Sequence, residues 1–246
     1  MTPPEPAAFR AMTHPDRHLN LTEITDPADP LLHGFWLPLY RRAFPPEERE
    51  HDRVVLDAVA RPDRHLLVGV EADTGAPACL ARMDDCRPDG LAPFAFLVYL
   101  ATDDARRGAG LGGAFLERVC DFAAGRGAEW LILEAESPRT VAERGGGAEA
   151  VSLARRRLGF YERHGFAALS GVRYRMLVTD PPEDAPPTPE PLEMLLLART
   201  LRGDHELTAG TVRDGAVAVL GAESLTPVPG AVPSLVPPTR HADAAG

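Results

Sequence analysis

Seven consecutive residues, Arg107-Gly108-Ala109-Gly110-Leu111-Gly112-Gly113, carry the clearest chemistry in this 246-residue sequence. Four glycines at the head of a helix-periodic stretch are costly for helix formation and need a reason. The first amides of a helix have no internal partner, and the helix dipole adds partial positive charge there. Glycines let a ligand approach that backbone closely. Such a site suits phosphate oxygens.

Two ligands compete for this pattern. Gly108, Gly110 and Gly113 satisfy G-x-G-x-x-G, and Glu134 stands about twenty residues on, where the dinucleotide fingerprint expects an acid. Three features oppose a dinucleotide. Residues 103–107 separate the loop from the preceding strand pattern, whereas a Rossmann turn follows its strand at once. The chain after Glu134 offers one helix and then two strands, not a succession of strand–helix units. The strands ahead of the loop read as antiparallel. A plain glycine-rich turn without a ligand is the third reading.

The elements that must position the loop follow from periodicity and turn residues. Positions 17–25 alternate as a first strand. Positions 31–44 are apolar on one helical face, with Leu32, Trp36, Leu39 and Tyr40, and Pro45-Pro46 ends that helix. Pro46-Glu47-Glu48 reads as a new helix start, with the helix running to Ala60 before Pro62-Asp63 breaks it. The runs 65–71, 77–83 and 93–102, separated by Asp73-Thr74-Gly75 and Pro88-Asp89-Gly90, predict an antiparallel meander.

A helix over 110–125, a short buried strand over 130–135 and a second helix over 148–164 come next. Leu153, Leu158 and Tyr161 are the candidates for the inner side of that second helix, and Gly165-Phe166 terminates it. Strands over 172–179 and 192–198 are joined by a proline-rich connection, 181–191, read as a mobile loop. A helical pattern around 205–225 precedes a stretch, 227–246, with the composition of a disordered tail. The expected organisation is a flexible N-terminus over 1–16, one domain over 17–200 and an Ala/Gly/Pro-rich tail over 201–246 with at most one short helix.

With the elements in this order, the chain resembles the GNAT superfamily of N-acetyltransferases. Arg107-x-x-Gly110-x-Gly112 fits that superfamily's R/Q-x-x-G-x-G/A signature, and Phe160-Tyr161-Glu162-Arg163-His164-Gly165-Phe166 is similar to its FYxxxGF segment. Phe44-Pro45-Pro46-Glu47-Glu48-Arg49 also resembles the acceptor-side helices of a poorly characterised bacterial subgroup. The resemblance implies an α/β fold with a central mixed sheet whose two parallel strands splay apart, flanked by helices. It implies that Leu100, Ala101 and Thr102 bond the pantetheine arm of acetyl-CoA. It gives the pyrophosphate to Arg107, Gly108, Ala109, Gly110, Leu111 and Gly112.

The implied reaction is transfer of an acetyl group to a primary amine by direct attack, with Tyr161 protonating the leaving thiolate. The base is less plainly marked. Many relatives carry a glutamate on the strand before the loop, but here that strand reads Phe94-Ala95-Phe96-Leu97-Val98-Tyr99-Leu100. Glu134 is the candidate of choice, followed by Glu136, Asp84 and Asp85. The plainer readings are a core tyrosine at Tyr161, solvated acids, and a helix-end cation at His164. Arg155, Arg156 and Arg157 suit either the 3′-phosphate or solvent. A non-catalytic acyl-CoA-binding module is the competing function, with a Rossmann-type dinucleotide-binding protein behind it.

Composition narrows the classes. With 44% hydrophobic and 25% charged residues the chain reads as one globular domain. A net charge of −10 repels nucleic-acid phosphates, so no nucleic-acid partner is expected. No apolar run is long enough to span a bilayer, and residues 1–17 lack the pattern of a secretory signal. Cys79, Cys86 and Cys120 have no metal-type spacing and read as reduced thiols in a cytoplasmic protein that uses no metal. The acceptor is expected to be a small-molecule or peptide amine, and the protein a monomer or homodimer.

Overall fold

The computed structural model describes residues 19–176, 178, 180–186, 190–203 and 206–244. The flexible N-terminus expected over 1–16 lies outside them. Four antiparallel strands open the chain: β1 (Leu19–Ile24), β2 (Arg64–Glu71), β3 (Pro77–Cys86) and β4 (Phe94–Thr102). A π-helical turn, Leu32–Trp36, leads into α1 (Leu37–Ala43), and α2 spans Asp52–Val59. The helix expected from Pro46 to Ala60 is two pieces. Pro46–Glu48 forms a single 3-10 turn, the chain extends through Arg49, and His51 restarts the helix by accepting from the Arg53 amide at 3.1 Å.

Then come α3 (Leu111–Gly125), β5 (Trp130–Glu136), α4 (Pro138–Glu143) and α5 (Ala148–Arg163). Helix α4 has a local signal: Ser137 caps it through the Thr140 amide at 3.0 Å, and Pro138 sits at its first position. In α5 the inner residues are Ala154, Leu158 and Tyr161, at helical spacing, while Leu153 is 41% exposed. Leu153 therefore lies off the stripe that the sequence suggested, because the buried face begins one residue later.

The remaining elements are β6 (Ala167–Ser170), β7 (Val172–Met176), β8 (Leu192–Thr200), α6 (Ala209–Leu220), β9 (Leu225–Pro227), β10 (Ser234–Val236) and α7 (Pro238–Ala244). The disorder expected from Pro227 onward does not hold. β9 pairs with β7, β10 pairs with β6, and α7 packs on α5, where the Thr239 hydroxyl donates to Glu162. Composition misleads here because existing strand edges, not local propensity, recruit these short segments.

The sheet runs β1-β2-β3-β4-β5-β8-β6-β10, with β7 beside β8 and β9 beyond it. Among the described residues the β4–β5 pair is the parallel one. A mixed sheet of this kind is not the doubly wound sheet a dinucleotide site requires, and it overturns that reading. Because side chains alternate across a strand, each face has its own cluster. Leu97, Leu131 and Leu133 share one face with Phe115 of α3 and Leu158 of α5. The other face holds Leu66, Leu80 and Tyr99 under α1 and α2, and Phe96, Trp130 and Ile132 under α6. No helix among the described residues is long and apolar enough to cross a membrane.

Candidate active site

Strands β4 and β5 pair only from Phe94 to Leu97 against Trp130 to Leu133. Beyond that they part. The cause is visible in β4: Tyr99 pairs with Arg82 and Leu97 with Met83, so Val98 is an extra residue without a partner. Such a bulge bends and twists its strand. Leu100, Ala101 and Thr102 then pair with β3 alone, and their other edge opens toward the gap.

The glycine loop stands at the end of that edge. Asp103 caps a 3-10 turn, Asp104–Arg106, which carries the chain across to the loop. Gly108 and Gly110 have φ of 81° and 78°, a left-handed conformation that side chains resist. The first helical bond of α3 runs from the Ala114 amide to the Gly110 carbonyl at 3.2 Å. The amides of Leu111, Gly112 and Gly113 therefore precede the helix's own ladder. A Cβ on Gly112 would come within 2.9 Å of Thr102 Oγ1, so loop and strand end touch. The residues expected to hold the cofactor, from Leu100 to Thr102 and from Arg107 to Gly112, are thus gathered along one edge. The side chain of Arg107 is exposed and pairs with Asp104 at 2.7 Å.

Tyr161 and Glu134 lie on opposite faces of the sheet. Tyr161 is only 7% exposed and belongs to the cluster with Leu97, Leu133 and Ala135. Its ring packs edge-on against Phe160 and Phe166. Burial raises the phenol above its ordinary range, with Arg157 acting weakly the other way, so the proton stays on at neutral pH. Glu134 follows Trp130 and Ile132 on the alternate face and is partly buried. Burial pushes its carboxyl up to about 7, against a hydrogen bond from Tyr174 and with help from the negative charge of Glu50.

The segment between Pro46 and His51 closes the Glu134 side. The Tyr99 hydroxyl donates to the Glu48 carbonyl and accepts from the Glu50 amide, both at 3.2 Å. Tyr40 donates to the Glu50 carbonyl at 3.1 Å. Glu50 is also held by the buried guanidinium of Arg82. Glu48 is a second carboxyl pushed up to about 7, by burial first and then by Glu136. Glu50, Arg82 and Tyr174 were not among the residues the sequence singled out. Their environment is made by contacts between distant strands, which leave no local pattern.

Other candidates go elsewhere. Asp84 pairs with Arg82 at 3.0 Å, and Asp85 with Arg126 at 2.9 Å, so both are structural ion pairs at the opposite end of β3. Glu136 is bound by Arg157 at 3.3 Å; Arg155 and Arg156 are exposed. His164 donates from Nδ1 to Glu117 at 2.7 Å. Cys79, Cys86 and Cys120 are buried, with thiols pushed by burial to about 11, 12 and 12, unsuited to nucleophilic attack. Among the described residues no group of three metal-ligating side chains occurs.

Residues 33–166 match the model of the acetyltransferase (GNAT) family. NAA60 of Arabidopsis thaliana, solved in complex with acetyl-CoA, is 12% identical, with 75% of this chain and 99% of that chain covered at a TM-score of 0.51. A chain of the NatC complex bound to Gag peptide and CoA is 14% identical, with 75% and 99% covered at a TM-score of 0.50. At these identities the likeness is one of fold. No curated protein matches the sequence.

Proposed function

The chain belongs to the acetyltransferase (GNAT) family, and on that premise we propose that it moves an acetyl group from acetyl-CoA to a primary amine by direct attack. The observation that carries this reading is the opening between β4 and β5, with a glycine-opened helix end at the same edge. The freed backbone of Leu100, Ala101 and Thr102 suits an extended pantetheine arm, much as a sheet edge suits an added strand. Arg107, Gly108, Ala109, Gly110, Leu111 and Gly112 hold the pyrophosphate, by amides and one guanidinium.

An amine with the pKa of lysine, about 10, is protonated at neutral pH and cannot attack. Glu134 takes that proton. A carboxyl near 7 is matched to the task, being ionised enough to accept and basic enough to hold a proton. The amine nitrogen then bonds to the thioester carbonyl carbon, and the oxyanion accepts from the backbone N–H of Leu100. As the carbon–sulfur bond breaks, Tyr161 gives its proton to the sulfur and regains one from solvent, while the nitrogen sheds its second proton to solvent and Glu134 releases the first. One ammonium and one thioester yield one amide, one thiol and one released proton. The partly buried carboxylates at Glu47, Glu48, Glu50 and Glu136 favour a cationic acceptor, a peptide or a small amine.

Two measurements test the reading. Acetyl-CoA, but not NAD, should raise the melting temperature, and an amine panel should include a substrate that releases free thiol. Tyr161→Phe should lower kcat by about 10²-fold or more while the Kd for acetyl-CoA stays the same. Unchanged turnover would remove Tyr161 from the mechanism. Acetyl-CoA binding without thiol release across the panel would make the protein a binding module.

A further inference from the structure

Tyr174 sits at the centre of β7, 4% exposed, and its hydroxyl donates to Glu134 Oε1. Burial and the adjacent carboxylate hold the phenol above its ordinary range, so the tyrosine keeps its proton and the bond has one sense, hydroxyl to carboxylate. Strand β7 is short. On one side it pairs with β8 through Tyr174, Arg175 and Met176. On the other it pairs with β9, where Leu225 lies directly opposite Tyr174. The Ala222–Ser224 turn ahead of β9 contacts β7 as well, and Val212 of α6 lies in the same apolar cluster as the Tyr174 ring. Tyr174, α6 and β9 all lie outside the residues matched by the family model, 33–166.

We propose that Tyr174 is the positioning residue for Glu134, and that the C-terminal strand β9 belongs to the active site because it braces Tyr174. This rests on Glu134 acting as the base. Glu134 reaches the gap from the end of a strand that has lost its parallel partner, and its flanking neighbours on β8 are the apolar Leu196 and Met194. The groups facing it are Tyr174 from β7 and Glu50 from the segment before α2. Glu50 is itself bound to Arg82, while Glu136 and Glu48 face each other farther along. Of these groups, only Tyr174 donates a hydrogen bond to Glu134. It favours the ionised, proton-accepting form and fixes the direction of the carboxylate. The segment from α6 to β9 is then a support for the reacting group, not an appendage.

The experiment compares full-length variants by kcat/KM against pH, with acetyl-CoA affinity and thermal unfolding measured beside it. Tyr174→Phe keeps the ring and removes the hydroxyl. Loss of a bond to the ionised form raises the carboxyl pKa, so the acid limb should move up by about one pH unit, with kcat/KM below the limb falling about tenfold. The Kd for acetyl-CoA should not change. Leu225→Ala should give a smaller shift in the same direction, and Leu225→Met should restore the wild-type limb. A Tyr174→Phe profile that superimposes on wild type, while Glu134→Gln abolishes activity, would overturn the positioning role and leave the base intact. A Leu225→Ala variant that melts lower without moving the limb would overturn the role of β9. A wild-type rate in Glu134→Gln would refute the base itself.

Discussion

The ring of His164, at the end of α5, fills the space that a Cβ on Gly113 would need: the added atom would come within 2.9 Å of Nε2. The ring is not free to swing away. Its Nδ1 donates to Glu117 Oε1 at 2.7 Å, and Phe160 packs on it with ring centroids 4.7 Å apart. The glycine loop and the segment 160–166 thus meet at one contact. The glycine loop is set against the helix that carries Tyr161.

Gly113→Ala should therefore lower stability by about 1–3 kcal/mol, the usual cost of overpacking a filled site. His164→Ala in the same chain should recover much of that loss. A double-mutant cycle on thermal unfolding reads the coupling. Additive effects would mean that the two residues do not touch.

Gly110 should behave differently. Nothing lies within 4 Å of its missing Cβ, yet its φ is 78°. The cost of a side chain is then one of backbone strain, about 1–2 kcal/mol for alanine. Asparagine, which tolerates this conformation better, should cost less than alanine or valine. The ranking can be read from acetyl-CoA titration. Losses that rank by side-chain size, with alanine the mildest, would show that space, not φ, is limiting.

The pH dependence of acetyl transfer follows from Glu134. Its carboxyl is raised by burial to about 7, so below that pH it is protonated and cannot take the proton of the amine. kcat/KM should rise with pH through an acid limb near 7. Glu134→Gln should lower kcat/KM by about 10²–10⁴-fold and abolish that limb. A limb that persists in the variant would point to Glu48, the other carboxyl held near 7.

Glu117 governs acid stability instead. Burial opposes its charge, but hydrogen bonds from His164 and Arg199 outweigh this and hold it at about 2. Its folded pKa lies below the unfolded value, so its stabilisation is present above that value and fades as pH falls toward the folded one. Glu117→Gln should melt lower than wild type at neutral pH. The gap should close as pH drops below about 4. A gap that stays constant would mean that the ion pair contributes nothing.

Much of the chain was legible because its signals are local. Glycines at a helix start, the Gly165-Phe166 stop and the turns at Gly75 and Gly90 specify backbone geometry within a few residues. Residues 65–102 form the expected meander because each strand is long enough to show its run of apolar residues. The misses share a cause. Strands β9 and β10 are three residues long, too short for a period, and exist because β7 and β6 offer them an edge. The break between Glu48 and Asp52 comes from Tyr40 and Tyr99 drawing the Glu50 backbone onto the sheet. Helix α4 had a readable Ser137-Pro138 cap and shows that short helices are lost to their flanking loops.

By itself the sequence determined the glycine loop, the order of elements around it and the family, because backbone conformation and helix periodicity are encoded within a few turns of chain. Only the tertiary structure decided what surrounds Glu134. The bulge at Val98 parts β4 from β5, burial and Glu50 raise Glu134, and Tyr174 reaches that carboxylate across forty residues of chain. A carboxyl's pKa depends on desolvation and on charges that other strands supply. No spacing along the chain carries that information.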